Sequence, residues 1–228
     1  MIAMIKKALK GYLFNKNIIL TNYNYPNKKE RFNLIKSLGK RLYLEGNEAY
    51  QLYTIVRNIC KKQKGALAEV GMFLGGSGKL ICEAKGNNPF YGFDTFEGLP
   101  KPQEIDRSKH KWECDFIEGQ YKSDFEDVKN YLKEYKDVKI YKGLFPDSAD
   151  KEVKKQKFIF IHLDVDIYSS TKDCLEFFYP KMKKGAVLLS HDYSTSKGIR
   201  KAFDEFFKNK PETVIELSNK SQCIFIKL

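Results

Sequence analysis

The sequence predicts an α/β protein with a doubly wound, mostly parallel sheet of seven strands. Apolar runs that can form strands alternate with helical patterns from Ala66 onward, which is typical of a parallel sheet with helices on both faces. A glycine-rich turn, residues 71–77, follows the first run, as it does in doubly wound folds. The chain ends in two strand-like segments joined by a short polar connection, which indicates an antiparallel hairpin at the edge of the sheet.

Length and composition fit one such domain with an addition. The chain has 228 residues, of which 42% are hydrophobic, and this is enough for a packed core. We expect the α/β domain to occupy residues 65–228 and a helical extension to occupy residues 1–64. The five cysteines are far apart and form no C-x-x-C pair, so we expect reduced thiols rather than disulfides or a zinc site.

Neither a membrane span nor a signal peptide is expected. No apolar run approaches the roughly 20 residues that a span needs, and the N-terminus lacks the apolar region and cleavage site of a secretory signal. Together with the cysteine pattern, this favours a cytoplasmic protein. The net charge of +12 invites a nucleic-acid partner, but the lysines are spread along the whole chain. We therefore favour an acidic small substrate or a membrane surface slightly over nucleic acid.

The first 64 residues lack the alternation of strands and show apolar residues at helical spacing. These residues are Leu34, Leu38, Leu42, Leu52, Ile55, Val56 and Ile59. Two interpretations stay open for this extension, namely a packing or dimer-forming segment and a lid over the active site. The first of them makes a homodimer or a larger homo-oligomer a reasonable expectation.

The strand candidates follow the extension in regular order, with helical patterns between most of them. The five inner candidates are residues 67–71, 89–94, 138–141, 158–164 and 186–190, and the terminal hairpin is predicted over residues 213–217 and 222–227.

The first group of candidate functional residues lies at the glycine-rich turn. Glu69 closes the first strand, and the turn that follows contains Gly71, Gly75, Gly76 and Ser77. Glycines let backbone N–H groups approach a ligand closely. Asp94 ends the second strand 23 residues after Gly71, the position from which doubly wound folds bind a ribose diol. These features together predict a cofactor that contains adenosine.

The second cluster follows the fourth and fifth strands. Asp164 and Asp166 come after one strand, and His191 and Asp192 come after the next. Because ligands bind outside the carboxyl ends of the strands in such sheets, we expect these side chains at the same edge as the glycine-rich turn. Asp164 and Asp192 are the best candidates for ligands of Mg²⁺ or a similar ion, although either could instead cap a helix or pair with a lysine.

The other polar residues of this cluster have competing interpretations. Asp166 is expected to cap the helix that begins near residues 169–171. His191 could bind a metal, act as general base or only bond the backbone, and imidazole suits Mn²⁺, Fe²⁺ or Zn²⁺ better than Mg²⁺. His162 lies in an apolar strand and is expected to be a core residue.

At this point the chain resembles the macrocin-type O-methyltransferases. These are class I, Rossmann-like enzymes that use S-adenosylmethionine to methylate sugar hydroxyls of macrolide antibiotics and related compounds. The resemblance covers about residues 66–228, and the matching segments are residues 69–77, 93–100, 142–148, 162–171 and 190–193.

The resemblance implies roles for individual residues. Glu69, Gly71 and the turn of residues 75–77 would line the methionine moiety of the cofactor, and Asp94 would bind its ribose. Asp164 would be a metal ligand. The pair after the fifth strand is usually two aspartates in the antibiotic enzymes, and here it is His191 and Asp192. The identity of the metal, and the need for one, therefore stay open.

The sequence thus predicts an S-adenosylmethionine-dependent O-methyltransferase with Mg²⁺ or Mn²⁺, which acts on a hydroxyl of a sugar, a glycosylated small molecule or a polysaccharide. A divalent ion can lower the pKa of such a hydroxyl. Asp164 is the first candidate for the general base and His191 is its rival. Residues Trp112, Tyr121 and Tyr193 are candidates for the acceptor pocket, and the loop of residues 101–120 is either a lid or a surface excursion.

Three alternatives are less favoured. The glycines do not fit the G-x-G-x-x-G pattern of nicotinamide-dependent oxidoreductases. The segment after the fourth strand lacks the Asp/Asn-Pro-Pro-aromatic motif of methyltransferases that act on nucleic-acid amines. A non-catalytic module that binds S-adenosylmethionine is disfavoured because Glu69, Asp94, Asp164 and Asp192 are all present.

Overall fold

A computed structural model of the chain describes residues 26–107, 115–218 and 221–228. Residues 1–25 of the extension, Trp112, and the middle of the loop of residues 101–120 lie outside the described residues.

A seven-stranded sheet forms the centre of the fold, and its strand order is β3-β2-β1-β4-β5-β7-β6. The five strands β1 to β5 run parallel, whereas β7 pairs antiparallel with both β5 and β6. The strands are β1 (Ala66–Val70), β2 (Phe90–Asp94), β3 (Val138–Lys142), β4 (Phe158–Leu163), β5 (Met182–Ser190), β6 (Ile215–Glu216) and β7 (Cys223–Ile226). This confirms the predicted fold class, including the antiparallel hairpin at the end.

Seven α-helices surround the sheet in the described part of the chain. They are α1 (Pro26–Ser37), α2 (Gly46–Lys62), α3 (Gly76–Ala84), α4 (Phe125–Leu132), α5 (Lys151–Lys155), α6 (Tyr168–Phe178) and α7 (Lys197–Phe207). Three short 3₁₀ turns occupy Gly39–Arg41, Glu104–Asp106 and Tyr179–Lys181. None of the helices in the described ranges has the length and apolar character that a membrane crossing requires.

Two apolar layers cover the two faces of the sheet, because the side chains of each strand alternate between them. In β1, Leu67 points into the layer under α2 and α3, whereas Ala68 and Val70 point into the layer under α6 and α7. Every residue of β1 and of β4 is buried, as expected for inner strands of a parallel sheet.

Helix α2 belongs to this packed structure. Its stripe of Ala49, Leu52, Val56 and Ile59 is buried against the sheet, as the helical spacing of these residues predicts. Its N-terminus lies at the carboxyl edge of the sheet, where Glu45 and Glu48 form a capping box. The start of α2 is therefore held beside the ends of the strands.

The boundaries of two strands differ from the sequence-based expectation. β5 begins at Met182, four residues earlier than expected. Lys183 and Lys184 in this first part of the strand are exposed and charged, so the sequence pattern there is that of a loop. Gly185 adopts φ +78 there, and the register between β4 and β5 shifts nearby. β6 has only two paired residues, both exposed, so most of the expected strand lies outside the sheet.

The C-terminal strand is fastened by a buried carboxylate. Glu212 has a fully buried side chain, and its Oε1 lies 2.5 Å from Nζ of Lys227. The same oxygen accepts a hydrogen bond from the backbone N–H of Leu228, and Oε2 accepts one from the Tyr179 hydroxyl at 2.7 Å. Burial acts to raise the pKa of Glu212, but these donors outweigh it and lower the pKa to about 2.

We expect E212Q to reduce the free energy of unfolding at pH 7 by about 2 kcal/mol, because it leaves Lys227 without its charged partner. Urea denaturation followed by circular dichroism measures this loss. The folded pKa, about 2, lies below the ordinary value of 4.5, so the contribution is complete above pH 4.5 and is lost as the pH falls toward 2. The difference between wild type and E212Q should therefore shrink over that range.

A matched control is E104Q, which removes one member of the exposed pair of Glu104 and Arg107. This change should leave the unfolding midpoint where it is, since exposed pairs contribute little. Equal effects of the two substitutions would contradict the role given to Glu212.

Candidate active site

A cavity of about 250 Å³ opens at the carboxyl edge of the sheet. Residues at or just after the ends of β1, β2, β3, β4 and β5 line it, and they include Gly71, Asp94, Gly143, Asp164, Asp166 and His191. The two predicted clusters of chemistry therefore border one cavity, as the rule for ligand sites in open α/β sheets requires.

Gly71 sets the floor of the cavity. Its φ is +90, and a Cβ placed on it would lie 1.8 Å from the backbone oxygen of Asp164. The backbone N–H of Asp164 in turn donates to the carbonyl of Val70 at 2.9 Å. Only glycine permits this approach, so the end of β1 can lie directly against the first residue after β4.

The rest of the glycine-rich turn is packed against protein. Gly75, with φ +78, precedes α3, and a Cβ on Gly76 would lie 2.3 Å from the carbonyl oxygen of Arg41. The 3₁₀ turn that ends at Arg41 therefore rests on the start of α3. Gly75, Gly76 and the buried Ser77 are outside the cavity lining, so the structure puts them behind the turn rather than on its open side.

Asp94 holds the open side of the turn in place. Its Oδ2 accepts hydrogen bonds from the backbone N–H groups of Met72 and Phe73, each at 2.8 Å, and its Oδ1 accepts one from Phe96 at 2.7 Å. Burial raises the pKa of the Asp94 carboxyl, and the three N–H donors oppose this. Asp94 also lines the cavity, so one carboxylate both shapes the turn and faces the ligand space.

Glu69 lies beneath the turn instead of lining the cavity. It is fully buried, and its Oε1 lies 2.8 Å from Nδ1 of His162, its cross-strand partner on β4. Burial raises the pKa of the Glu69 carboxyl, which His162 and Ser77 partly offset. Oε2 of Glu69 and Nε2 of His162 make no hydrogen bond within the described part of the chain. His162 is thus the core residue expected from the sequence.

An imidazole lies between two carboxylates at the other side of the cavity. Nδ1 of His191 is 3.1 Å from Oδ1 of Asp164 and 3.0 Å from Oδ2 of Asp192. The neighbouring strands β4 and β5 bring these residues together, since Leu163 pairs with Ser190 just before them. One donor atom from each of the three residues lies within 4.8 Å of the others, an arrangement that could hold a metal ion.

A third carboxylate, missed in the sequence, closes this cluster. Oε2 of Glu48, at the N-terminus of α2, lies 3.3 Å from Nε2 of His191, and Glu48 is 1% exposed. A signal was present, because Glu48 precedes Leu52 by four residues and therefore lies on the apolar stripe of the helix. A buried acid on such a stripe requires a partner.

The charges in the cluster support one another. Burial acts to lower the pKa of His191, but the carboxylates of Asp164, Asp192 and Glu48 outweigh it and hold the pKa well above its ordinary value. Burial acts to raise the pKa values of Asp192 and Glu48, and the imidazole of His191, together with the other hydrogen-bond donors around each carboxylate, outweighs this and lowers both pKa values.

Asp166 does not cap the following helix, so that prediction is wrong. Helix α6 has Ile167 at its N-cap position without a side-chain bond, and the N–H of Tyr168 donates instead to Oδ1 of Asp106 at 2.7 Å. Asp166 is buried at the cavity with φ +64. Burial and the nearby charges of Asp164 and Asp192 raise its pKa well above the ordinary value.

Aromatic rings from three separate segments meet at the cavity. The centroid of Phe73 lies 4.8 Å from that of Tyr43 and 5.5 Å from that of Tyr121, and all three rings line the cavity. Tyr121 therefore has the place expected for a pocket residue. Tyr193 does not, since it is buried outside the lining beneath the guanidinium of Arg200.

The loop of residues 101–120 is docked at its start. Asp106 is buried, and besides capping α6 it accepts a hydrogen bond from the N–H of Gln103. The other described end of the loop returns to the cavity, where the N–H of Leu99 donates to the carbonyl of Gln120 at 2.8 Å. Both described parts are therefore fixed next to the cavity.

The strand order, the antiparallel β7 between β5 and β6, and a ligand cavity across the ends of β1 to β5 define the class I methyltransferase fold. The family model of the macrocin-O-methyltransferases (TylF) matches residues 46–220. The chain belongs to this family and is an S-adenosylmethionine-dependent methyltransferase.

Solved structures of methyltransferases share the fold. The O-methyltransferase NovP superposes with a TM-score of 0.66 at 19% identity, over 82% of each chain. The calicheamicin methyltransferase CalS11 has a TM-score of 0.68 at 16% identity, over 90% of this chain and 94% of its own. An O-methyltransferase from Bacillus cereus, solved in complex with SAH, has a TM-score of 0.57 at 13% identity over 97% of both chains. No curated protein matches the sequence.

We expect G71A to lower the free energy of unfolding by more than about 3 kcal/mol, because the new methyl group adds a backbone clash to an unfavourable φ. Urea denaturation measures this loss.

Gly86→Ala is the matched control. Gly86 also has positive φ, +59, but a Cβ there meets nothing within 4 Å. G86A should therefore cost about 1 kcal/mol, the price of the left-handed backbone alone. A G71A protein as stable as G86A would show that the strand ends do not depend on this close approach.

Proposed function

We propose that the protein methylates a hydroxyl group of a sugar or a glycosylated small molecule, with the help of a divalent metal ion. The observation on which this rests is that Asp94 and the cluster of Asp164, His191 and Asp192 border one cavity. The names of the relatives support the acceptor class, since one CalS11 structure is described as a TDP-rhamnose 3′-O-methyltransferase.

The cofactor is proposed to bind along the glycine-rich turn. Gly71 and Asp94 border the cavity and would contact the methionine moiety and the ribose. Glu69, Gly75, Gly76 and Ser77 would contribute less directly, by fixing the shape of the turn from behind. This divides the residues expected to bind the cofactor into two that face it and four that support them.

The residues also fit a divalent ion. Donor atoms bound to one ion at about 2.1 Å and at right angles lie about 3 Å apart, and Nδ1 of His191 is 3.1 Å and 3.0 Å from the oxygens of Asp164 and Asp192. When bound, the ion supplies charge that lowers the pKa of the acceptor hydroxyl, and the cofactor supplies an electrophilic methyl group. The three side chains would hold the acceptor oxygen beside the cofactor.

Asp164 is the preferred proton acceptor. Both ring nitrogens of His191 already face carboxylates, Nδ1 toward Asp164 and Asp192 and Nε2 toward Glu48. The side chain of Asp164 keeps 22% of its surface exposed, more than that of His191 or Asp192. It can therefore accept the hydroxyl proton from a substrate in the cavity, while His191 supports its orientation.

Calorimetric titration with S-adenosylhomocysteine, with and without Mn²⁺ or Mg²⁺, tests the proposal. One-to-one binding that persists in chelator supports a cofactor site separate from the metal site. Methyl transfer to nucleotide sugars or glycosides that stops in chelator and returns with metal supports the reaction. Tight cofactor binding with transfer only to amines would overturn the proposed acceptor.

We expect D164N to reduce kcat for methyl transfer by at least about 100-fold, since it removes both a charged ligand and the proton acceptor. The dissociation constant for S-adenosylhomocysteine should change by less than about threefold, because Asp94 and the turn are untouched. Steady-state kinetics and calorimetry on the same preparation measure the two quantities.

The matched control is D173N, which alters a carboxylate of α6 outside the cavity lining. Its kcat should equal that of the wild type. If D164N also retained full turnover, Asp164 would be neither ligand nor base.

A further inference from the structure

Glu48 is a carboxylate near the site whose two oxygens are both held by protein groups. Its Oε1 accepts hydrogen bonds from the backbone N–H of Ser221 at 3.1 Å and from the Ser221 hydroxyl at 3.0 Å. Its Oε2 accepts one from the N–H of Glu45 at 3.1 Å and faces Nε2 of His191 at 3.3 Å. One buried side chain thus joins the start of α2, Ser221 two residues before β7, and the imidazole that follows β5.

These contacts fix Glu48 before any ligand binds. Three of its partners are donors that lie in other parts of the fold or in its own capping box, so the carboxylate has little freedom to move. The Ser221 hydroxyl also lies 3.3 Å from the backbone N–H of Asp192, which ties the same network to the second aspartate. The position of Oε2 is therefore a fixed reference for the ring of His191.

We propose that Glu48 is a positioning residue, which binds Nε2–H of His191 and thereby presents Nδ1 to a metal shared with Asp164 and Asp192. This rests on the proposed function, which assigns the metal to that cluster. The arrangement is that of a metal-binding histidine whose second nitrogen donates to a carboxylate, a contact that orients the ring and increases its strength as a ligand.

The proposal also specifies the class of metal. A set of one imidazole nitrogen and two carboxylates favours Mn²⁺, Fe²⁺ or Co²⁺ over Mg²⁺, which prefers oxygen ligands alone. Because Glu48 keeps Nδ1 of His191 directed at the two aspartates, this nitrogen would be one of the metal ligands. The preference for a transition metal should therefore depend on both Glu48 and His191.

Metal affinity measured by calorimetry with MnCl₂ and MgCl₂ tests this on the full chain. We expect E48Q to weaken Mn²⁺ binding by about 10- to 100-fold, the usual effect of losing such an outer carboxylate. The glutamine oxygen can still accept from Ser221, but its amide then faces Nε2 as a donor. The proton of the ring would have to move to Nδ1, which would no longer bind metal. Mg²⁺ affinity should fall less.

A double-mutant cycle with His191→Asn separates positioning from general damage to the fold. H191N should weaken Mn²⁺ binding to a similar extent, and adding E48Q to it should change the affinity by less than about twofold. An E48Q effect of the same size in both backgrounds would overturn the proposal, because Glu48 would then act without His191.

Ser221→Ala is the matched control. It removes one hydroxyl donor to Glu48 and the weak 3.3 Å acceptor of the Asp192 N–H, but it leaves the backbone donor, the Asp192 carboxylate and His191 in place, so Mn²⁺ affinity should stay within about threefold of wild type. A loss equal to that of E48Q would mean that the packing of Glu48 matters and its contact with His191 does not.

Binding of S-adenosylhomocysteine, measured in parallel, keeps the two proposals apart. Unchanged cofactor binding in E48Q supports an effect confined to the metal side. A wild-type protein that binds the cofactor but no Mn²⁺ overturns the role of Glu48 while the methyltransferase assignment stands. A protein that binds Mn²⁺ with the expected cycle but no cofactor would instead contradict the proposed cofactor site.

Discussion

The site depends on a ladder of backbone hydrogen bonds that continues one step beyond the ends of the strands. Each bond joins the last or penultimate residue of one parallel strand to the residue that follows its neighbour, and all four are 2.8 or 2.9 Å long. They run from Gly143 N–H to the Asp94 carbonyl, from Gly71 to Phe93, from Asp164 to Val70 and from His191 to Leu163. Because adjacent strands lie about 4.8 Å apart, this ladder delivers the chemical groups to one edge in fixed order. Gly71 makes it possible, since any Cβ there would separate β1 from β4.

Electrostatic compensation is the second constraint on this edge. Asp164, Asp166 and Asp192 lie close together at this edge, and uncompensated burial of the two that are buried, Asp166 and Asp192, would be costly. His191 lies within 3.3 Å of three carboxylates, including that of Glu48, and these carboxylates hold its pKa well above the ordinary value, which favours a compensating positive charge on the ring. Asp166 differs from Asp192, since burial and the neighbouring carboxylates raise its pKa well above the ordinary value. The polar groups are therefore arranged before a ligand arrives.

The sequence predicted those features that depend on strand ends and failed for those that depend on distant contacts. Alternating patterns placed β1 to β4 within a residue or two, and the rule for carboxyl edges brought Asp164, His191 and Asp192 together. Local pattern could not show that Glu48 meets His191, 143 residues away, or that Asp106 caps α6 from 62 residues away. Local pattern also could not distinguish Gly71, which lines the cavity, from Gly76, which packs against the backbone of Arg41. Each failure involves a contact between elements that the sequence does not order in space.

Glu48 and His191 depend on each other, because the buried carboxylate needs a partner and the imidazole needs a fixed orientation. In the antibiotic enzymes that this chain resembles, the position of His191 is usually an aspartate. In the absence of a metal ion, an aspartate there would add a carboxylate beside Glu48 and Asp192 in place of the imidazole that contacts both, and like charges at about 3 Å repel. Conversely, His191 without Glu48 could turn its ring and offer either nitrogen to the cavity. In this chain the histidine is therefore matched by Glu48, the acid that the first turn of α2 brings to the end of β5.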